Sequence, residues 1–147
     1  MLEAIRIFDE NNEYHNTEGP AYDDQCGRQE WYKHGVLHRE GGPAVLHIGS
    51  LEEWRLNGLL HRVGGPAKIT PYSEEWYQHG LLHREDGSAI TYKRQKSFSW
   101  YYKGQLHRYN GPAKGNSKKS VFYVHGQIVT KKEMKRLFLQ ELGVNSE

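Results

Sequence analysis

Hydrophobic and polar positions along this chain recur every 22–24 residues, a longer period than that of a helix or a strand. Each period opens on a large aromatic residue, and in the strong copies a leucine follows six positions later. The pattern W-x-x-x-G-x-L-H-R-x-x-G-P-A fits residues 31–44, 54–67, 76–89 and 100–113, with Ser88 in place of the proline. Weaker copies flank these four, and the opening aromatic residues are Phe8, Trp31, Trp54, Trp76, Trp100 and Phe122. A fixed period of this length predicts a repeat protein.

Each repeat predicts a β-hairpin. Residues 53–56 and 59–62 are typical of two strands, and Asn57-Gly58 between them readily adopts the positive φ of a type I′ turn. The same turn position holds Asn11-Asn12, His34-Gly35, His79-Gly80, Lys103-Gly104 and His125-Gly126. The later Gly-Pro-Ala segment fixes the start of the next strand because proline restricts φ.

The tryptophans and leucines of successive repeats form the predicted core. Alternate residues of a strand share one face, so the tryptophan column lies beside a second column of Tyr14, Leu37, Leu60, Leu82, Leu106 and Ile128. A single hairpin is barely stable in water, and each repeat is therefore expected to bury the apolar face of its neighbour. We expect an all-β fold over residues 1–129, an elongated antiparallel array of about six hairpins.

After Val129 the pattern changes to that of a helix. Thr130-Lys131-Lys132-Glu133 fits a capping box, and Gly143 is a stop signal. The apolar stripe between them consists of Met134, Leu137, Phe138 and Leu142. An amphipathic helix here is expected to cover the last apolar face of the repeats, so residues 130–147 are predicted to be a capping helix and tail.

Composition favours a soluble, cytoplasmic protein. A chain of 147 residues with 36% apolar residues suits one folded domain, and no apolar run is long enough to cross a bilayer. The first residues lack the basic and apolar segments of a signal peptide. Cys26 is the only cysteine, which excludes an internal disulfide and a thiolate metal cluster and fits a reducing compartment. We therefore expect no membrane partner.

The repeat resembles the MORN and MORN-like repeats, in which each unit of similar length carries an aromatic residue, a glycine, a histidine and a later glycine. The H-R-x-x-G-P-A variant is similar to a subgroup found in tailed phages and large DNA viruses. The resemblance covers residues 5–129 and implies successive hairpins that act as scaffolds and binding surfaces; bacterial relatives of the looser type are antitoxins. It does not extend to lipid binding, because arginines follow the histidines where the ordinary unit has glycine: Arg39, Arg62, Arg84 and Arg108.

The histidines that follow the leucine column are expected to be structural. Equivalent atoms of successive two-stranded repeats lie roughly 10 Å apart, too far for two ligands of one zinc ion. A hydrogen bond to a turn backbone or to a neighbouring hairpin is the favoured interpretation, and a pair across columns with His34, His79 or His125 stays open. The column comprises His15, His38, His61, His83 and His107. We expect no metal and no other cofactor.

The arginine column is assigned to the scaffold as well, because it recurs with it. Glu40, Glu85 and Asp86 are the expected ion-pair partners, and phosphate binding is the alternative. Catalysis needs a unique constellation of groups, whereas the recurring polar residues here are repeated. Cys26 lies beside acidic residues, which disfavour a reactive thiolate. We therefore predict that the protein is not an enzyme and that Cys26→Ala leaves its function intact.

Residues that break the repeat are the candidate binding residues. Basic and aromatic side chains cluster in residues 90–99 and 114–121 and in the strands beside them. This mixture is typical of protein-interface hot spots, and it also fits single-stranded nucleic acid or a solvated sheet edge. The predicted partner-binding residues are Tyr32, Tyr77, Tyr92, Lys93, Arg94, Lys96, Tyr101, Tyr102, Lys118, Lys119 and Tyr123.

Charge is distributed unevenly, at −6 over residues 1–30 and +10 over residues 87–132. The acidic end suits a basic partner surface or the basic end of a second copy, so the sequence leaves the oligomeric state open. The predicted function is a non-enzymatic scaffold that binds a protein partner. The resemblance to the MORN-like family further implies that the protein is an inhibitor of phage or antitoxin type, which neutralises a host or toxin protein. Nucleic-acid binding through residues 92–123 is the alternative.

Overall fold

The computed structural model describes residues 2–144, which form twenty short β-strands and one C-terminal α-helix. The predicted all-β fold with a terminal helix is confirmed. The chain divides into two compact units, Met1–Gly80 (unit 1) and Leu81–Glu147 (unit 2). Residues 145–147 of the predicted tail lie outside the described residues.

An antiparallel sheet organises unit 1. In chain order the strands of unit 1 are β1 (Ile5–Arg6), β2 (Tyr22–Asp23), β3 (Arg28–Glu30), β4 (Tyr32–Lys33), β5 (Val36–Leu37), β6 (Val45–His47), β7 (Leu51–Glu53), β8 (Arg55–Leu56), β9 (Leu59–Leu60), β10 (Lys68–Ile69), β11 (Ser73–Glu75) and β12 (Tyr77–Gln78). The main sheet has the order β1, β2, β3, β6, β7, β10, β11, and two short hairpins, β4–β5 and β8–β9, are separate from it.

Unit 2 repeats this arrangement and ends in the helix. Its elements are β13 (Leu81–Leu82), β14 (Ile90–Tyr92), β15 (Ser97–Ser99), β16 (Tyr101–Tyr102), β17 (Gln105–Leu106), β18 (Lys114–Gly115), β19 (Ser120–Val124), β20 (Gln127–Val129) and α1 (Lys131–Glu141). The main sheet here has the order β14, β15, β18, β19, β20, and β16 pairs with β17 as a short hairpin.

A second hairpin in each repeat accompanies the predicted one. The predicted hairpin is the short one. Both turn residues have positive φ where the second is glycine, as at Asn57 (49°) and Gly58 (79°), whereas of Asn11 and Asn12 only Asn12 does (60°). The second, exemplified by β6–β7, lies between the alanine of one repeat and the next tryptophan and builds the main sheet. The tryptophan lies between the two hairpins. The N–H of Trp31 donates to the carbonyl oxygen of Ala44, and the carbonyl oxygen of Trp31 accepts the N–H of His38.

In both units, the last residue of the Gly-Pro-Ala segment and its equivalents form a column of completely buried alanines. Each of its members has no exposed surface: Ala21, Ala44, Ala67, Ala89 and Ala113. The N–H of Ala44 donates to Glu53 while its carbonyl accepts from Trp31, so the methyl group lies between converging backbones. The four tryptophans and the leucines of the strong repeats are half-buried. The expected core of indoles and leucines is corrected accordingly, because the closest packing occurs where the two hairpins of a repeat meet.

Helix α1 begins at the predicted capping box. The hydroxyl of Thr130 accepts the N–H of Glu133 at 3.2 Å, and the Glu133 carboxylate accepts the N–H of Thr130 at 2.8 Å. The helix packs against β19 and buries Met134. Leu142 does not continue the apolar stripe and is 59% exposed, because the helix ends at Glu141. Within residues 2–144, no helix has both the length and the apolar character needed to span a bilayer.

Candidate partner-binding groove

A column of histidines links each short hairpin to the turn of the next. The Nδ1 atom of His38 accepts the backbone N–H of Asn57 at 3.1 Å. The same bond, at 3.0–3.1 Å, joins His15 to His34, His61 to His79, His83 to Lys103 and His107 to His125. The bond reaches a turn backbone and a neighbouring hairpin at once, as expected of structural histidines.

Three of these histidines also pack against a second imidazole, which is the pairing across columns that the sequence left open. The paired rings are tilted by 39–51° with centroids 4.2–4.4 Å apart, and the pairs are His15–His34, His61–His79 and His107–His125. Asp9 joins the first pair, with its Oδ2 atom 2.7 Å from Nδ1 of His34.

The group of Asp9, His15 and His34 brings possible metal ligands within 4.8 Å of one another. Nδ1 of His15 is already occupied, because it accepts the backbone N–H of His34. A neutral imidazole with an accepting Nδ1 carries its proton on Nε2, so neither nitrogen of His15 is free to bind a metal. The donor set does not fit a metal ion without breaking the bond that links these two hairpins.

The arginine column covers the tryptophans. Cζ of Arg62 lies 3.8 Å from the ring centroid of Trp54, and its Nη1 donates to the carbonyl oxygen of Pro66 at 3.1 Å. The same stack, at 3.7 and 3.9 Å, forms between Arg39 and Trp31 and between Arg108 and Trp100. These contacts tie each arginine to the Gly-Pro-Ala segment of its own repeat, which places the column in the scaffold.

The ion pairs expected for the arginines are partly present. Nε of Arg84 lies 2.7 Å from the carboxylate of Asp86. Glu40 lies instead 3.8 Å from Nε2 of His38, because the guanidinium of Arg39 is turned towards the Trp31 ring. The predicted pair between Arg39 and Glu40 is therefore wrong.

Clefts next to these columns recur from repeat to repeat. Two in unit 1, of 440 and 410 Å³, and one in unit 2, of 390 Å³, are each lined by the tryptophan, histidine and arginine of one repeat. These side chains are already engaged in holding the hairpins together. The clefts therefore belong to the scaffold rather than to a distinct site.

In unit 1, an acidic side chain precedes each tryptophan and bonds to a cation or a hydroxyl group beside it. Glu53 is only 9% exposed. Its carboxylate accepts from Nε of Arg55 at 2.9 Å and lies 3.6 Å from Nζ of Lys68. A buried carboxylate is stable in such a place because two cations compensate for its lost hydration.

The other two members of this acidic column hold tyrosines. The hydroxyl of Tyr32 donates to Glu30 at 2.8 Å, and that of Tyr77 donates to Glu75 at 3.0 Å. Burial, followed by the bond to Glu30, raises the pKa of Tyr32 to about 12. Two of the predicted binding tyrosines are thus engaged within unit 1.

The corresponding positions of unit 2 carry no acid. Ser99 precedes Trp100 and Val121 precedes Phe122. Lys114 is in register with Ser99 on one side and with Val121 on the other. In unit 1, Lys68 holds the same place between Glu53 and Glu75. Among residues 2–144, Lys114 has no ion-pair partner and the hydroxyl of Tyr101 has no hydrogen-bond partner.

A groove of 530 Å³ opens at these positions and is called here the tyrosine groove. Its lining comprises the apolar Ile90, Phe98 and Val121, the tyrosines Tyr92 and Tyr101, the lysines Lys114 and Lys119, and the polar or small Gln95, Ser97, Ser99, Gly115 and Asn116. Burial, and then the hydroxyls of Tyr92 and Tyr123, raise the pKa of Tyr101, so its O–H stays a donor at neutral pH. Unit 2 carries thirteen basic and five acidic residues, which makes the surroundings of the groove cationic.

The remaining predicted binding residues are distributed around this groove and away from it. Exposed turns after β14 and β18 carry Lys93, Arg94, Lys96 and Lys118. Tyr123 is close enough to Tyr101 to affect its pKa. Tyr102 packs instead between the imidazoles of His83 and His107, with ring centroids 4.9 and 5.8 Å away. The structure thus brings Tyr92, Tyr101 and Lys119 together in the groove.

Nine of the twelve groove residues were not among the predicted binding residues, although Phe98 and Lys114 belong to the basic and aromatic clusters of residues 90–99 and 114–121. The nine are Ile90, Gln95, Ser97, Phe98, Ser99, Lys114, Gly115, Asn116 and Val121. They could have been found by comparing the residues at each equivalent position of the repeats. The residue before the opening aromatic is acidic at Glu30, Glu53 and Glu75 and then changes to Ser99 and Val121. The loss of an acid from a column is less conspicuous than a run of bases, yet it locates the groove.

Comparison of the chain with protein-family models, with curated proteins and with solved structures gives no match. The resemblance of the repeat to the MORN-like family therefore stays a prediction.

Proposed function

We propose that the protein is a non-enzymatic repeat scaffold that binds another protein, with the tyrosine groove as its binding site. The observation that carries the proposal is the loss of the acidic column in unit 2. Where unit 1 supplies carboxylates, the equivalent positions of unit 2 present Lys114 without an ion pair and the Tyr101 hydroxyl without a hydrogen bond among residues 2–144. Lys114 is exposed and Tyr101 is half-buried, and a half-buried hydroxyl without an internal partner gains a hydrogen bond from a bound acceptor.

The composition of the groove suits a protein segment. Tyrosine is enriched at interface hot spots because it offers a large ring and a hydroxyl at a low cost in conformational entropy. Ile90, Phe98 and Val121 provide apolar surface beside the two tyrosines. A volume of 530 Å³ lies within the range of roughly 300–1,000 Å³ that is typical of ligand sites, which is sufficient for a few side chains.

A second candidate function is binding of single-stranded nucleic acid. The turns after β14 and β18 carry five cations, and Tyr92 beside them is 40% exposed. Phosphates on lysines and bases stacked on tyrosines are the usual contacts of such proteins. The same turns also suit an acidic protein surface, so this candidate is separated from the first by experiment.

The test is capture of a partner by the immobilised chain from a cell extract, before and after nuclease treatment. A protein retained by the wild type and by Lys33→Met, but lost with Tyr101→Ala, supports the proposal. Lys33 is a matched control because it is exposed on β4 of unit 1, outside the groove. Retention that does not depend on Tyr101, or that disappears after nuclease treatment, contradicts it.

The second candidate is tested by titration with oligothymidylate at low and high salt. A binding constant that falls steeply with salt supports nucleic-acid binding, and no binding at low salt removes it. Inhibition, which rests on the resemblance, predicts that the activity of a captured partner falls when the chain is added.

A further inference from the structure

We infer that the tyrosine groove recognises a carboxylate, the acidic side chain of a partner segment that lies over Ser99 and is held by Lys114 and Tyr101. The inference rests on the proposed protein-binding function and names the chemistry of its ligand. It comes from the repeat itself, because unit 1 shows what occupies the equivalent place when the chain supplies it.

Unit 1 provides the internal template. Glu53 is in register with Lys68 and carries its carboxylate 3.6 Å from the lysine Nζ. Two residues after an acid of the same column, the hydroxyl of Tyr32 donates to Glu30 at 2.8 Å. An ammonium from the neighbouring strand and a phenol two residues further along are therefore among the groups that hold carboxylates on this face of the sheet, beside Arg28 at 2.6 Å from Glu30 and Arg55 at 2.8 Å from Glu53.

Unit 2 keeps both kinds of donor and lacks the acid. Lys114 is in register with Ser99, and Tyr101 follows Ser99 by two residues, as Tyr32 follows Glu30. Both donors line the groove. Ser99 is 5% exposed and its side chain is too short to reach them as a glutamate does at the equivalent positions. A carboxylate that enters from a partner would meet there the two kinds of donor, ammonium and phenol, that take part in holding the carboxylates of unit 1.

The same donors favour a carboxylate over a phosphate. A phosphate carries more charge and more acceptor oxygens than one ammonium and one phenol can satisfy, and among residues 2–144 no arginine adds to these donors in the groove. One ammonium and one phenol match the few acceptor positions of a carboxylate. The apolar Ile90, Phe98 and Val121 then contact the aliphatic part of an acidic side chain and its neighbours.

The experiment is an NMR titration of the ¹⁵N-labelled full chain with two synthetic peptides. One alternates glutamate with glycine around a central phenylalanine, and its twin carries glutamine at every glutamate position; both have blocked ends. We expect saturable shifts at the amides of Ser99, Lys114 and Val121 with the glutamate peptide, and affinity at least about tenfold weaker with the glutamine twin.

Variants assign the effect to the two donors. Lys114→Met is expected to weaken binding of the glutamate peptide about tenfold or more, while Lys114→Arg keeps the charge and retains binding. Tyr101→Phe weakens it less, since only a hydrogen bond is lost. Lys33→Met is the charge-matched control and leaves the affinity unchanged. The dispersion of each variant spectrum verifies that the variant is folded.

The outcomes separate this inference from the proposed function. Equal binding of the two peptides, or no saturable shift with either, overturns carboxylate recognition, while groove-dependent capture of a protein from extract still supports the proposed function. If oligothymidylate shifts the groove amides more strongly than the glutamate peptide does, both are overturned in favour of nucleic acid.

Discussion

His38 and Asn57 lie nineteen residues apart in the chain and are joined by a hydrogen bond in which the Asn57 N–H donates to Nδ1 of His38 at 3.1 Å. The bond fixes the turn of one short hairpin against the strand end of the preceding one. Because four further histidines make the same bond, the recurring histidine is explained by the connection between repeats.

Removal of this acceptor is expected to destabilise the fold. His38→Phe keeps an aromatic ring but leaves the Asn57 N–H without its partner, at a cost of about 1 kcal/mol in the free energy of unfolding. Urea denaturation measures it. His47→Phe, at an exposed position outside the column, is the control and should change stability by less than about 0.5 kcal/mol. Equal effects of the two substitutions would argue against the structural role.

Stability is expected to fall as the pH is lowered below the ordinary histidine pKa of about 6.5. Burial, and then the neighbouring imidazole, lowers the pKa of His61 and of His107; Glu141 partly opposes the shift at His107. Below about pH 6.5 the unfolded chain therefore binds more protons than the folded one, so the unfolding free energy decreases as pH falls towards the folded-state values. Protonation of Nδ1 would also remove the acceptor of the inter-hairpin bond.

Thermal melting between about pH 7.5 and pH 5.5 measures this dependence. The variant in which His61 and His107 are both replaced by phenylalanine is expected to have a lower melting temperature at neutral pH and a flatter pH profile. A wild-type melting temperature that does not fall over this range would contradict the account.

The stacking of arginine on tryptophan explains why a glycine stands before the proline position of the strong repeats. A Cβ atom at Gly65 would lie 2.8 Å from Cζ of Arg62, so Gly65→Ala should push the guanidinium off the Trp54 ring. We expect Gly65→Ala and Arg62→Met each to cost about 1 kcal/mol, with the double variant costing clearly less than the sum because both remove one stack. Tryptophan fluorescence and urea denaturation check this, with the exposed Val63→Ala as a neutral control. Additive effects would show that the glycine serves another purpose.

The acidic column of unit 1 is expected to be a stabilising element. Glu53→Gln leaves Arg55 and Lys68 without their carboxylate and should cost about 2 kcal/mol, less than a fully buried pair because Arg55 is partly exposed. Glu52→Gln, one residue earlier and therefore on the other face of the strand, is the matched control. Denaturation at neutral pH compares them, and a smaller loss for Glu53→Gln than for Glu52→Gln would contradict the assignment.

The sequence predicts the short hairpins well because their turns are local. Asn57 and Gly58 need only their own φ angles to specify the turn, and both are positive as expected. The second hairpin escapes prediction because its strands, such as Val45–His47 and Lys68–Ile69, are two to three residues long and do not share a motif between repeats. The stack of Arg62 on Trp54 joins residues of two different strand ends, so only the fold shows it.

The candidate site is predicted in part for a related reason. Tyr92, Tyr101 and Lys119 are recognisable as aromatic and basic residues that depart from the repeat, and they line the groove. Ser99 and Lys114 are recognisable as site residues only once the pairing of β15 with β18 is known, because this pairing places Lys114 beside a position where the acidic residue is replaced by serine. Register of this kind depends on which strands are neighbours and is not encoded in a local pattern.

The most direct test of the account is the dissociation constant of a captured partner for Ser99→Glu and for Ser99→Gln. Both side chains have the same size, and both enter a position that is buried like those of Glu30 and Glu53. The account predicts that Ser99→Glu supplies the missing carboxylate internally, raises or preserves the melting temperature, and weakens partner binding at least about tenfold relative to Ser99→Gln. Equal dissociation constants for the two folded variants would contradict it.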